Sequence, residues 1–266
     1  MNRIYIMPKV IILTILFVFL TEKFSMLFIV LYAFISFILV FLFILIRLYI
    51  LGKYYLAQVK KGNKVDEQKI YGHVIQIVKM VNSLLRVHIK VEGYEHFNPN
   101  ENYLITPNHQ SNQDILVVFE TFKYPLLFVS KYSMSEVILV KDWMNLLDCL
   151  FLKKDDLRAQ MLVMKEVLSK LEEGKNVVLY PEGKRSFSSE LNEFRAGAFK
   201  VALRSKHPIL PVTLNHVHKL RHHFPLKRTY INVYVHEPIY FEQYENLNTT
   251  EIADLVKATI QSKIEA

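Results

Sequence analysis

The sequence predicts an α/β fold: a mainly parallel sheet covered by helices on both faces, preceded by an N-terminal membrane-embedded helical hairpin. Three observations carry that expectation. Short apolar runs such as Val177–Tyr180 and Pro125–Val129 read as buried strands. Helical spacings lie between them, as in Ile70, Val74, Ile77, Val78, Val81 and Leu85. Ser25 to Ile46 runs for 22 residues without a charge, enough to span a hydrocarbon layer of about 30 Å.

Taken in order, the first apolar stretch is Val10 to Leu20. It has the length of a signal-peptide core and follows Arg3 and Lys9. The residues after it offer no small-x-small cleavage site, so it is expected to be retained. The link Thr21 to Phe24 is short, which makes a hairpin with the second stretch. The first arm is short for a full span; it either tilts with its lysine snorkelling or enters the layer only halfway. Arg47, Lys53, Lys60, Lys61 and Lys64 follow the hairpin, Arg3 and Lys9 precede it, and only Lys23 lies in its turn. Positive charge at both ends places them in the cytoplasm. The expected location is the cell membrane, with the remaining chain on its cytoplasmic side. The expected domains are a hydrophobic hairpin over 1–51, a basic linker over 52–64, and an α/β domain over 65–266.

In that domain, Val65 to Leu85 reads as a helix and His88 to Val91 as a strand. Tyr103 to Thr106 is a second strand, and Ile115 to Phe119 begins a helix. Pro125 to Val129 and Cys149 to Leu152 are further strands. Leu157 to Glu173 is a helix stopped by Gly174. Val177 to Tyr180 follows as a strand, then Ile209 to Leu214, broken by Pro211, then Tyr230 to Val235. A helix over Thr250 to Ile264, begun by a threonine cap, closes the chain.

Composition bounds the chemistry. The net charge of +8 suits an anionic partner such as a phospholipid surface or a phosphorylated substrate. Nucleic acid is not expected, because the charge accompanies an apolar anchor and no nucleic-acid module. Cys149 is the single cysteine, so neither an intrachain disulfide nor a cysteine-based zinc site can form. The cluster His216, His218, His222 and His223 lacks acidic neighbours and reads as a solvated or membrane-facing loop. His73, His88, His96, His207 and His236 read as structural or exposed. No metal site is expected.

Two strand ends carry chemistry. Asn108 to Asp114 follows the Tyr103 strand. His109 and Asp114 would not meet on one continuous helix, since positions five apart differ by about 140°; a turn between them lets them meet. Ser111 reads as the helix cap, with Asp114 at the third helical position. A carboxylate on one imidazole nitrogen fixes the tautomer and leaves the other nitrogen to take a proton from an alcohol. The second loop is Tyr180 to Ser186. Gly183 allows close backbone approach to a ligand. Arg185 offers a planar fork suited to phosphate, Lys184 adds a point charge, and Glu182 either positions a hydroxyl or holds Arg185. A parallel sheet brings both loops to one edge.

These blocks resemble the glycerolipid acyltransferases, specifically the bacterial lysophosphatidic acid acyltransferase type. Asn108, His109 and Asp114 match that family's Asn-His-x4-Asp block. Tyr180 to Ser186 resembles Phe-Pro-Glu-Gly-Thr-Arg-Ser, with tyrosine for phenylalanine and Lys184 for threonine. Phe151 to Lys154 resembles Phe-Ile-Asp-Arg, with Lys154 in place of arginine. Pro208 to Val212 resembles the proline-bearing block, Phe194 to Ala198 resembles the segment that follows the arginine block, and Lys131 matches a lysine common after the intervening strand. The resemblance covers about residues 88–215.

The resemblance implies acyl transfer from acyl-CoA or an acyl carrier protein thioester, the co-substrate, to the free hydroxyl of a lysophospholipid in the bilayer. The product would be phosphatidic acid, for phospholipid synthesis. His109 would be the general base and Asp114 its partner. Backbone amides after Ser111 would stabilise the oxyanion. Glu182, Gly183 and Arg185 would hold the glycerol phosphate, with Lys131 and Lys154 as lesser contributors and no cofactor. A lysine cannot reproduce a two-pronged arginine contact, which weakens the role of Lys154. Another lysolipid or glycerol 3-phosphate as acceptor, or an inert membrane-anchored lipid-binding protein on the same scaffold, are the alternatives.

Overall fold

The computed structural model describes residues 7–21, 26–153, 156–222 and 227–265. The helices are α1 (Met7–Thr21), α2 (Met26–Lys60), α3 (Glu67–Leu84), α4 (Asp114–Phe122), α5 (Ile138–Leu146), α6 (Leu157–Glu172), α7 (Lys200–Ser205) and α8 (Thr249–Gln261). The strands are β1 (Val87–Glu92), β2 (Leu104–Pro107), β3 (Leu127–Lys131), β4 (Leu150–Leu152), β5 (Val177–Val178), β6 (Ile209–Asn215) and β7 (Thr229–Val235). They divide into two compact units: Met1–Val65 with Ile138–Leu146, and Asp66–Val137 with Leu147–Ala266.

In the first unit α1 packs on α2, with the Phe17 and Tyr32 rings 5.8 Å apart. Among the described residues α2 is the one helix long and apolar enough to cross a membrane. Leu27, Phe34 and Phe43 on it are 75%, 63% and 60% exposed. A helix that is apolar all round with bare side chains needs a lipid or protein covering. The 15 residues of α1 reach only about 22 Å. The turn between α1 and α2, with Lys23, lies outside the described residues.

The basic linker expected over 52–64 is mostly helix. α2 continues to Lys60, and only a short connection separates it from α3. Gly52 does not stop the helix because it packs against a neighbour: a Cβ there would lie 3.4 Å from the indole nitrogen of Trp143. Lys53 pairs with Asp142 at 2.8 Å, and the Tyr55 ring lies 6.5 Å from that of Trp143. All these partners belong to α5, a helix the sequence reading did not anticipate.

The second unit is built on one seven-stranded sheet, ordered β1-β7-β6-β2-β5-β3-β4. Every pairing is parallel except β6 with β7. Leu104 of β2 and Ile209 of β6 share a core with Val167 and Leu171 of α6, Phe199, and Val256 and Ile260 of α8. Strand alternation sends Ile105 and Leu210 to the opposite face, where α3 meets α4. There Tyr71 and Phe119 are 5.7 Å apart, and Phe119 and Phe128 are 4.6 Å apart. Helices on both faces leave the sheet buried, which explains its unbroken apolar runs.

Three local expectations are corrected. Pro211 does not break β6. Its carbonyl accepts from His236 on the β7 side at 3.1 Å, and paired β7 residues begin only at Val212, so the absent N–H falls at the ladder's edge. α8 is capped by Asn248 rather than a threonine: its Oδ1 accepts from Thr250 and Glu251 while Glu251 accepts from the Asn248 amide. Ser111 does not cap α4, which begins at Asp114 with Gln113 in the cap position.

Because β2, β3, β4, β5 and β6 run in one direction, their C-terminal ends share a sheet edge. His109, Lys131, the Tyr180 loop and the turn after β6 all follow from that edge. Crevices of this kind at strand C-termini are where open α/β sheets bind ligands.

Candidate active site

The residue before the histidine fixes its loop to the sheet. Asn108 closes a two-way bond with Leu214 of β6: its Oδ1 accepts from the Leu214 amide at 2.7 Å, and its Nδ2 donates to the Leu214 carbonyl at 3.1 Å. Gln110, fully buried, accepts on Oε1 from the Val217 amide at 2.9 Å. The histidine is thus held from both sides by the strand and turn next to it.

The His109 Nδ1 and Asp114 Oδ2 atoms are 2.7 Å apart. The backbone bends through 110–113 between them, so residues five apart meet. Asp114 is completely buried, and its Oδ2 also accepts from the Ser111 amide at 2.9 Å. That amide is therefore engaged. Burial pushes the Asp114 carboxyl above its usual range; the bond to His109 and the loop amides pull against it. A carboxylate acceptor at Nδ1 places the ring proton there and leaves Nε2 with a lone pair. Nε2 has no hydrogen-bond partner among the described residues, and the side chain is 22% exposed. The Tyr180 ring stacks on the imidazole at 4.3 Å between centroids.

Glu182 is where geometry departs most from expectation. It is 2% exposed. Its Oε1 accepts from the His109 amide at 2.6 Å, and its Oε2 accepts from the amide and side chain of Asn192 at 2.9 and 2.6 Å. Burial raises its pKa and these bonds oppose the rise. The carboxylate is thus committed to tying three stretches of backbone together, rather than to a ligand. Gly183 is required, but by the protein: its φ is +64°, and an added Cβ would fall 2.6 Å from Nε of Arg195. Side-chain approach, not ligand approach, sets that glycine.

Arg185 hydrogen-bonds to Oδ1 of Asn112, in the His109 loop. It pairs with no carboxylate among the described residues. The Ser186 amide donates to the His109 carbonyl at 2.8 Å and the Phe187 amide to that of Gln110 at 3.2 Å. The structure therefore brings His109, Asp114, Glu182, Gly183 and Arg185 together. Lys131 is exposed at the end of β3, beside β4. Lys154 lies outside the described residues; its neighbour Lys153 lies over the Tyr132 ring at 4.9 Å. The turn Val217–His222, read from sequence as part of a solvated or membrane-facing loop, is partly buried, and His218 lies 3.3 Å from the Gln110 side chain. Gln110 carries no local sequence signal of its role, because its partner Val217 is distant in the chain.

Residues 88–215 match the family model described as Acyltransferase. A probable 1-acyl-sn-glycerol-3-phosphate acyltransferase of Mycoplasma pneumoniae is 32% identical over 121 residues, 44% of this chain and 45% of that protein. The matching segment thus spans less than half of that relative's length. The 1-acyl-sn-glycerol-3-phosphate acyltransferase of Borreliella burgdorferi is 25% identical over 193 residues, covering 71% of this chain and 76% of that one. The crystal structure of the 1-acyl-sn-glycerophosphate (LPA) acyltransferase PlsC from Thermotoga maritima superposes with a TM-score of 0.63 at 21% identity, over 82% of this chain and 94% of that chain. The segment that carries His109, Asp114 and Arg185 thus matches the Acyltransferase family model over residues 88–215, and the chain shares the fold of the Thermotoga structure.

Proposed function

We propose that the protein transfers an acyl group from acyl-CoA or acyl carrier protein to the free hydroxyl of lysophosphatidic acid, forming phosphatidic acid. The observation that carries the reading is Nε2 of His109, without a hydrogen-bond partner among the described residues and backed at Nδ1 by buried Asp114, on the same sheet edge as Arg185, which has no carboxylate partner among those residues. Nε2 takes the hydroxyl proton as the oxygen attacks the thioester carbonyl. Asp114 stabilises the imidazolium that forms. Collapse of the tetrahedral intermediate breaks the carbon–sulfur bond, and the imidazolium returns its proton to the departing thiolate. No covalent enzyme intermediate is needed, because the acceptor's own hydroxyl is the nucleophile. The names of the Mycoplasma and Borreliella relatives support this reaction class.

Arg185 is the proposed phosphate ligand, with Lys131 and Lys154 as lesser cations. A hydrogen bond to a charged group is worth about 1.5–3 kcal/mol, so Arg185→Ala should weaken use of phosphate-bearing acceptors roughly 10- to 150-fold. Steady-state kinetics with both substrates varied should show the loss mainly in the acceptor KM. A change confined to the donor KM would put Arg185 in the carrier's site instead.

Acceptor and product are both bilayer lipids, so an anchored enzyme need not extract them. The proposed setting is the cell membrane, with the α/β unit on the cytoplasmic side, as the basic residues Arg47, Lys53 and Lys60 of α2 favour. A cysteine introduced at Lys60 should resist an impermeant thiol reagent in intact cells and react after permeabilisation. Rapid reaction in intact cells would reverse the topology.

A further inference from the structure

We infer that Arg221 is a second ligand for the acceptor's phosphate, paired with Arg185 across the ring of Phe187. The inference rests on the proposed phosphate role of Arg185 and extends it. Arg221 lies in the short turn Val217–His222 that follows β6. β6 is the immediate parallel neighbour of β2, so this turn leaves the sheet beside the loop that carries the base. The Val217 amide donates to the Gln110 side chain at 2.9 Å, which pins the turn to the residue next to His109.

Phe187 is pinned to the same residue. Its amide donates to the Gln110 carbonyl at 3.2 Å, and its backbone φ is +57°. That left-handed conformation is unfavourable for a bulky aromatic. It sits where three loops converge, as strained backbone at ligand sites does. The ring is 40% exposed and carries two cations: Arg185 Cζ at 5.0 Å from its centroid and Arg221 Cζ at 4.6 Å.

Two guanidiniums gathered by one ring repel each other. Among the described residues neither has a carboxylate partner. A bound anion of charge near −2 would remove the repulsion and accept donors from both forks. A single arginine stacked on an exposed aromatic is an ordinary surface contact. Here the stack holds two like charges, and both loops hang on the residue beside the base. A phosphomonoester on a glycerol backbone fits that arrangement, with its free hydroxyl toward His109.

The test uses the full-length protein in membranes or detergent, with lysophosphatidic acid and monoacylglycerol as acceptors. Arg221→Ala should raise the lysophosphatidic acid KM about 10-fold or more, leave the donor KM unchanged, and leave monoacylglycerol kinetics unchanged. Arg221→Lys should recover part of the loss, because a point charge lacks the fork. Partition into vesicles containing anionic phospholipid should be equal for wild type and variant. An acceptor KM that does not move, or a loss that follows vesicle partition, overturns the assignment of Arg221. A wild type that prefers lysophosphatidic acid, with the preference abolished in Arg185→Ala but intact in Arg221→Ala, would leave the phosphate reading standing and remove Arg221 alone. Equal kcat/KM for the two acceptors in the wild type would overturn the phosphate reading itself.

Discussion

His109→Ala is expected to abolish measurable acyl transfer while the protein still folds and enters the membrane. The ring contributes little to the core, being partly exposed, with its main contacts to Asp114 and Tyr180. Its loss removes the proton acceptor for the attacking hydroxyl, an assistance worth about 10²–10⁴ in rate. Asp114→Asn should also be severe, for a different reason. The amide oxygen can still accept the Ser111 N–H and the imidazole N–H, but it carries no charge against the imidazolium. The corresponding change in serine-protease triads costs about 10⁴, there because the histidine is held in the wrong tautomer. Turnover numbers measured beside circular dichroism and membrane fractionation decide the matter. A folded His109→Ala protein with near-normal turnover would end the general-base mechanism.

Glu182→Gln should cost about 10²-fold in kcat although the side chain keeps its shape. The carboxylate accepts from three donors: the His109 amide, the Asn192 amide and the Asn192 side chain. A glutamine has one oxygen, and its NH₂ must face at least one of those N–H groups in either orientation. A buried donor left unpaired costs about 1–3 kcal/mol. The His109 loop then loses its fixed position, and a misplacement of about 1 Å at a catalytic group can cost about 10²-fold. The expected result is a lower denaturation midpoint and a kcat reduced on that order, with acceptor KM little changed. If the variant keeps kcat and stability but raises acceptor KM, Glu182 touches substrate, as its place in the motif first indicated.

That contrast shows which parts of the site are readable from residue order. His109 and Asp114 lie five positions apart, so one turn accounts for their meeting. The strands were legible because a sheet covered on both faces demands continuous apolar runs, and those runs stand out between polar turns. Glu182 is 73 residues from His109, and what it binds there is a backbone amide, which every residue but proline possesses. No side-chain pattern records such a partner. Gly183 was legible as necessary, but its reason, the Arg195 side chain, lies twelve positions away across a loop. The continuation of α2 through Gly52 and the existence of α5 escaped for a related cause. Glycine and a basic run mimic a linker locally, whereas the packing of Trp143 on Gly52 depends on residues 91 positions apart.

The membership of α5 also bears on where the chain can be cut. Ile138–Leu146 belongs with α1 and α2, yet it is threaded between β3 and β4. The chain therefore leaves the sheet-bearing unit, contributes nine residues to the helical one, and returns. A single cleavage at the exposed connection around Gly62 would not detach the N-terminal helices: the Lys53–Asp142 ion pair and the Gly52–Trp143 contact bridge the nick. Trimming the N-terminal helices away instead would strip the Gly52 and Tyr55 cover from Trp143, now 8% exposed. The border between the helical unit and the sheet-bearing unit is thus a spatial one, with no single position in the sequence at which it falls.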